Sequence, residues 1–293
     1  MAATLFVFGD LCVDIVAVPQ SVPQAGEDAT LERLDVTCGG AAFNCAIAAA
    51  KAGAQVQVIG LVGADEFGAM LIAQLRNAGV DTTLIQCKAN ARTGTVLSIA
   101  SPDGERTLYS YRGVNAESYG SIADIAFKPG DGLYLSGYSL QQAGSRATAY
   151  ELKRRARGNG VTCLVDPSFQ SAASLANSDL EFLNGLDWIT PNAREAELLT
   201  RSAEPDQAAS ILQALGVGSV AVTLGAQGCF IATATHRATM PAEPLSNVIH
   251  TTGAGDAFCG GLLAGLLDGC DPFEAARRAT CAAAHALAHN RGK

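Results

Sequence analysis

Positive charge is in short supply: the 293-residue chain carries 20 Lys and Arg against 28 Asp and Glu, a formal net charge of −8. That deficit argues against nucleic acid or an anionic membrane as the main partner, because both recruit proteins through basic surface. Charged residues amount to only 16%, against 48% hydrophobic, which excludes a disordered chain and leaves ample material for a buried core. No apolar run approaches the length of a membrane span, and no low-complexity linker or internal repeat divides the chain. Met1 to Thr4 lead straight into the strand-like Leu5 to Phe8, without the basic region of a secretory leader. The nine cysteines (Cys12, Cys38, Cys45, Cys87, Cys163, Cys229, Cys259, Cys270, Cys281) contain no C-x-x-C pair and no zinc-like spacing. They read as reduced thiols of a cytoplasmic protein. A G-x-x-x-x-G-K-[ST] phosphate loop, the protein-kinase signature set and a G-x-G-x-x-G dinucleotide fingerprint after the first strand are also missing, which disfavours those classes.

What is there is alternation. Short apolar runs at Val56 to Ile59, Leu133 to Leu135, Val161 to Val165, Trp188 to Thr190 and Val220 to Leu224 read as buried strands. Between them, Asn44 to Ala52, Glu66 to Ala78, Gly144 to Arg157 and Arg194 to Thr200 read as helices. The pattern predicts an α/β fold, a mostly parallel central sheet with helices on both faces. Residues 14–36 and 93–111, the latter with a Pro102-Asp103-Gly104 turn, break the alternation and read as antiparallel strands outside the main sheet.

The most informative stretch runs from His250 to Gly261. Phe258, Leu262, Leu263, Leu266 and Leu267 recur at helical spacing, which puts Gly253, Ala254 and Gly255 at a helix N-terminus. There the backbone N–H groups have no intrahelical partner and attract anions. Asp256 sits where an incoming hydroxyl could give up its proton while the amides hold a transferring phosphoryl group. A plain helix cap is the alternative reading of the same residues.

Five segments together resemble the ribokinase-like (PfkB) family of carbohydrate and nucleoside kinases. They are Gly39-Gly40-Ala41-Ala42-Phe43-Asn44, Gly60 to Gly68, Thr190-Pro191-Asn192-Ala193-Arg194-Glu195, Thr223-Leu224-Gly225-Ala226-Gln227-Gly228, and Thr251 to Asp256 within the pattern D-T-x-G-A-G-D. His250 departs from that last pattern, where an Asp is usual. The resemblance implies a single ribokinase-like domain over residues 1–293, a three-layer sandwich, with the segments 14–36 and 93–111 forming a small β lid. It also implies in-line transfer of the γ-phosphoryl group of Mg-ATP to a hydroxyl of a small sugar, with Asp256 as general base and the amides of residues 253–256 as anion hole. In several members lids pair between subunits, so a homodimer through the lid is expected.

Gly39 and Gly40 either end a strand or let a substrate hydroxyl approach bare backbone. Asn44 is expected to meet sugar hydroxyls. Asp10 and Asp14, read as the end of the first strand, can each accept two hydrogen bonds from a vicinal diol. Arg112 is either a surface arginine or a contact to a sugar oxygen or acidic group. Thr223, Gly225 and Gly228 are expected to receive ATP, in what is otherwise a hairpin turn. Asn192 and Glu195 are expected to organise Mg²⁺ through water, unless Glu195 is only a first-turn helix acid. Cys12 and Ala41 replace residues usual in ribose-binding relatives, which speaks against ribose itself. A similar Tyr-Arg pair occurs in 2-keto-3-deoxygluconate kinases, but Gln170 stands where their second Arg is expected, so an acidic sugar is not favoured. A nucleoside or pseudouridine kinase and a catalytically weak sugar-binding sensor stay open as alternatives. At His250 the acidic side chain is gone, so potassium activation is expected to be weak or absent.

Overall fold

The computed structural model of the chain describes residues 2–21, 24, 26–100, 106–178, 180–245 and 252–289. The strands are β1 (Thr4–Phe8), β2 (Cys12–Pro19), β3 (Leu31–Gly39), β4 (Gln55–Gly63), β5 (Ile85–Lys88), β6 (Gly94–Ala100), β7 (Arg106–Tyr111), β8 (Gly132–Ser136), β9 (Thr162–Asp166), β10 (Trp188–Ile189), β11 (Ser219–Thr223), β12 (Cys229–Ala232) and β13 (Arg237–Met240). The helices are α1 (Ala41–Lys51), α2 (Glu66–Asn77), α3 (Ala143–Gly158), α4 (Phe169–Ser178), α5 (Ala193–Thr200), α6 (Pro205–Ala214), α7 (Ala254–Leu267) and α8 (Pro272–His289). Among the described residues, nine strands form one sheet in the order β13-β12-β11-β10-β9-β8-β1-β4-β5, and four form a second in the order β3-β2-β6-β7. From β11 to β5 every neighbouring pair is parallel, while β12 and β13 add an antiparallel edge.

Strict alternation along the strands builds the three layers. On β1, Phe6 and Phe8 enter one apolar cluster and Leu5 and Val7 the other. On β8, Leu133 and Leu135 oppose Tyr134 in the same way. A strand buried on both faces must be apolar at successive positions. The first cluster is closed by Leu152 of α3, Leu175 of α4, Leu199 of α5 and Leu212 of α6. The second is closed by Phe43 of α1, Leu75 of α2, Leu262 of α7 and Ala279 of α8. Among the described residues no helix is long and apolar enough to cross a membrane.

Two expectations need correction. The segments outside the main sheet are not wholly antiparallel: β2 pairs with β3 and β6 with β7 antiparallel, but β2 and β6 join them in parallel, with Cys12 opposite Gly94. The reason is topological, since β2 and β6 each leave the main body and run outward from it. The first helix also begins at Ala41, three residues before Asn44, because Gly40 takes φ 97° and starts it. Helices α4, α6 and α8 went unread because their apolar positions are mostly alanine, which gives a weak periodic signal.

Small residues let α7 lie close against its neighbours. A Cβ on Gly260 would stand 2.5 Å from the carbonyl oxygen of Cys45 in α1, and one on Gly261 would stand 2.8 Å from Ala282 Cβ in α8. Gly260→Val is therefore expected to force α1 and α7 apart, lowering stability by about 1–3 kcal/mol as overpacked cores do. Urea unfolding of the variant beside the native protein checks this.

Candidate active site

Parallel strands carry their C-terminal ends to one edge of the sheet, and the expected site residues gather there. Asp10 lies just beyond β1, Asn192 just beyond β10, and Thr223 ends β11. Asp14 does not end the first strand as expected: it sits inside β2, on the smaller sheet, opposite Thr37. A Cβ on Gly39 would stand 2.2 Å from Asp14 Oδ2, and one on Gly40 would stand 2.4 Å from the carbonyl oxygen of Asp10. The glycine pair is thus what allows β3 to pass this close to the β1–β2 turn.

Asp256 occupies the first turn of α7, whose start is set by Gly253 at φ 81°. The side chains of Asn44 and Asp256 meet across the α1–α7 contact, Asn44 Nδ2 donating to Asp256 Oδ2 at 2.9 Å. Asn44 is therefore first a partner of the carboxylate, which was not expected from its place in the sequence. Burial pushes the Asp256 carboxyl up to about 6; the Asn44 bond opposes this, and Asp14 and Asp10 add to it. Among the described residues, nothing stands within 4 Å of where a Cβ on Gly255 would lie.

Arg112 is not a surface arginine. Its Nη2 donates to Asp10 Oδ1 at 2.8 Å, with the two side chains only 17% and 11% exposed. Among the described residues, its buried Nε has no hydrogen-bond partner. Burial raises the Asp10 carboxyl to about 6 against the pull of Arg112. Asn115, which the sequence did not single out, fixes the turn after β1: Oδ1 accepts from Leu11 N at 3.1 Å and Nδ2 donates to Leu11 O at 2.9 Å.

Towards β11, Asn192 and Glu195 form a reciprocal cap on α5. Asn192 Oδ1 accepts from Glu195 N and Glu195 Oε2 accepts from Asn192 N, both at 2.9 Å. The helix-acid reading of Glu195 is thus realised, yet the carboxyl is buried and burial raises it to about 7, with Asp256 adding to the shift. Asn192 bridges to Thr223, and a tight turn over Gly225–Gln227 joins β11 to β12 as a hairpin. Gly228, at φ 93°, is enforced by packing, since a Cβ would stand 1.9 Å from Met240 O, whereas one on Gly225 would meet none of the described residues within 4 Å.

Two further residues belong to this cluster and were missed. Asp166 at the end of β9 accepts from Tyr134 Oη at 3.3 Å and from Thr190 Oγ1 at 3.4 Å. Its carboxyl is driven well above the usual range by burial and by the charges of Asp256 and Glu195. The signal was its place at a strand end on the same edge. Tyr138, in the turn after β8, has its phenol raised by burial and by the charges of Asp256, Glu195, Asp10 and Asp166. A hollow of 420 Å³ between Arg157, Gly160, Gly185, Asp187 and Gly216 lies at the opposite edge, before β9, β10 and β11, away from this chemistry. His250 and Thr251 lie outside the described residues.

Asp10, Asp256 and Glu195 all hold their protons to higher pH in the folded chain than unfolded. Their contribution to stability is full below the unfolded values near 4 and is lost as pH rises through about 6 to 7. Asp256→Asn removes one such group. The variant is expected to gain on the native protein by on the order of 2–3 kcal/mol between about pH 4 and pH 7, read by urea unfolding of the ligand-free proteins at both.

Residues 2–292 match the model of the pfkB family of carbohydrate kinases. A ribokinase of Haemophilus influenzae is 30% identical over 292 residues, covering 97% of this chain and 92% of the relative. A fructokinase of Vibrio alginolyticus is 30% identical, covering 89% and 83%. The solved structure of Arabidopsis thaliana ribokinase complexed with ribose and ATP superposes with a TM-score of 0.86 at 24% identity, covering 97% of this chain and 92% of that one. With its ribokinase-like three-layer fold, the chain belongs to the pfkB family of carbohydrate kinases and is a phosphotransferase acting on an alcohol group.

Proposed function

We propose that this kinase transfers the γ-phosphoryl group of ATP to a hydroxyl of a small, uncharged sugar. The observation that carries this reading is the convergence of Asp256, Asn44, Asp10 and Asp14 beside the N-terminus of α7. Asp256 takes the proton of the acceptor hydroxyl, and the amides of Gly253, Ala254, Gly255 and Asp256 receive the charge that moves onto the phosphoryl oxygens. Asp10, Asp14 and the Gly39-Gly40 backbone hold the acceptor. Arg112 already has its charge answered by Asp10, so the acceptor end is net acidic and an anionic sugar is poorly matched. The open turn at Gly225, with Thr223, Gly228 and Asn192 beside it, receives the nucleotide.

A divalent cation fits the donor set. Buried carboxyls at Glu195 and Asp166 are raised in part by the charge of Asp256, so positive charge among them is favourable. Among the described residues no three His, Cys, Asp or Glu side chains gather closely enough to hold a metal directly. Glu195 would therefore hold Mg²⁺ through water. When bound, the ion neutralises phosphate charge; potassium activation, tied to His250, is expected to be weak or absent.

The smaller sheet serves as a lid over the acceptor. Its face opposite to Asp14 carries Leu34, Val36, Tyr109 and Tyr111, exposed by 56%, 45%, 58% and 58%. That apolar face supports pairing with a second copy. Leu34→Glu combined with Tyr109→Glu is expected to convert a dimer to monomers in sedimentation; a native protein that is itself monomeric overturns the pairing.

A panel of sugars and nucleosides, read by coupled ADP release, tests the activity. Asp256→Asn is expected to lower turnover by about 10²–10⁴ with acceptor binding kept. Near-native turnover in that variant would show that Asp256 is not the base.

A further inference from the structure

The order of the main sheet limits where a phosphate chain can run. The turn proposed for the nucleotide follows β11 and the proposed acceptor end follows β1, with the ends of β10, β9 and β8 between them. Four strand spacings separate the two ends, roughly 19 Å at the usual distance between neighbouring strands. A chain of phosphates reaching from one to the other therefore crosses the segments that leave β10 and β9. Both segments bring acid. Asp166 ends β9 and is met by the hydroxyls of Tyr134 and Thr190, and Glu195 follows β10 and is met by the Asn192 backbone. These partners are neutral, so they leave the repulsion between carboxylate and phosphate in place.

The same two segments also carry a cation. Arg194 lies in the first turn of α5, between Asn192 and Glu195, and its guanidinium carbon stands 4.2 Å from the centre of the Phe169 ring at the start of α4. Among the described residues its side chain has neither a carboxylate nor a hydrogen-bond partner. Phe169 is exposed by 42% and Tyr138, in the turn after β8, by 44%. Outside the smaller sheet these two are the exposed large apolar side chains among the described residues, and both lie on the edge where the site residues gather. A guanidinium stacked through its face keeps the N–H groups in its plane free to donate. Stacking also restrains a long side chain in advance, which lessens the freedom lost when it grips a ligand.

We infer that Arg194, held against Phe169, binds the phosphate chain of ATP through its non-bridging oxygens. The planar fork suits two such oxygens at once, and its charge offsets the repulsion from Asp166 and Glu195. This rests on the reading of the Gly225 turn as the nucleotide end and of the start of α7 as the transfer end. Arg194 makes and breaks no bond; it complements the α7 amides with a side chain from the opposite face of the sheet.

Titration calorimetry with the Mg²⁺ complex of the non-hydrolysable analogue AMP-PNP tests this without an acceptor. Arg194→Gln is expected to weaken binding by about 10- to 100-fold, as loss of charge-assisted hydrogen bonds does. Arg194→Lys is expected to weaken it by less, because the charge stays and only the fork is lost. Phe169→Leu is expected to weaken binding by a smaller factor in the native background and to change nothing in the Arg194→Gln background. In turnover assays the KM for ATP is expected to rise in Arg194→Gln while the acceptor KM stays unchanged. A stack that only packs α4 on α5 would lower the melting temperature of these variants and leave AMP-PNP affinity intact, and that result would overturn the inference. Equal losses from Phe169→Leu in both backgrounds would overturn the part of the ring. If Arg194→Gln fails to fold, Arg194→Lys and Phe169→Leu decide. The acceptor panel keeps the claims apart: a native protein that binds AMP-PNP but phosphorylates nothing overturns the sugar-kinase reading, whereas unchanged binding in Arg194→Gln overturns only the role of Arg194. A native protein that binds no AMP-PNP overturns both.

Discussion

The hydrogen bond from Asn44 to Asp256 joins the first turns of two helices separated by 212 positions in sequence. It can form only because α1 and α7 touch at glycine and alanine, and because Gly40 and Gly253 start those helices in conformations that side chains rarely adopt. Much else in the site follows from that contact. It places the carboxylate at the positive end of α7, beside the edge where β1, β9 and β10 end, and it occupies Oδ2, one of the two carboxylate oxygens. The small residues of α7 are thus as much a part of the proposed chemistry as the acid they carry.

Concentrating acids in this way has a cost that the fold does not hide. Asp10, Asp256, Asp166 and Glu195 are all pushed towards their protonated forms, burial being the largest cause in each case. Hydrogen bonds from Asn44, Tyr134, Thr190 and the Asn192 backbone lessen that penalty without introducing positive charge. Of these four, only Asp10 is met by a full positive charge among the described residues, that of Arg112. The result is a gradient along the strand ends, from a compensated acid beside the smaller sheet to uncompensated ones at the end proposed for phosphate and its counterion.

Much of this was legible in the residues. The turn before α7, the glycine pair and the Asn-x-x-Glu spacing each announce themselves locally, because short-range backbone demands fix residue type. What stayed hidden depends on contacts between distant segments. Asn44 looks like a ligand for a hydroxyl until α7 is laid against it, and Arg112 looks like surface until β7 returns to Asp10. Tyr134 reads as one more apolar strand residue, and nothing local says that its hydroxyl reaches Asp166. The parallel pairing of β2 with β6 was equally invisible, since a strand's own pattern does not record the direction of its neighbour.

That parallel pairing sets the smaller sheet on an unusual footing. All four of its strands are rooted at the body in residues of the proposed acceptor end: β2 follows Asp10 and Leu11, β3 runs into Gly39 and Gly40, β6 begins at Gly94 against Asn115, and β7 leads into Arg112. No spacer stands between roots and binding groups. Any change in the tilt of the sheet must be absorbed in the very backbone proposed to grip the acceptor; on that proposal hinge and grip are one piece, and a molecule that fits the grip sets the angle of the cover.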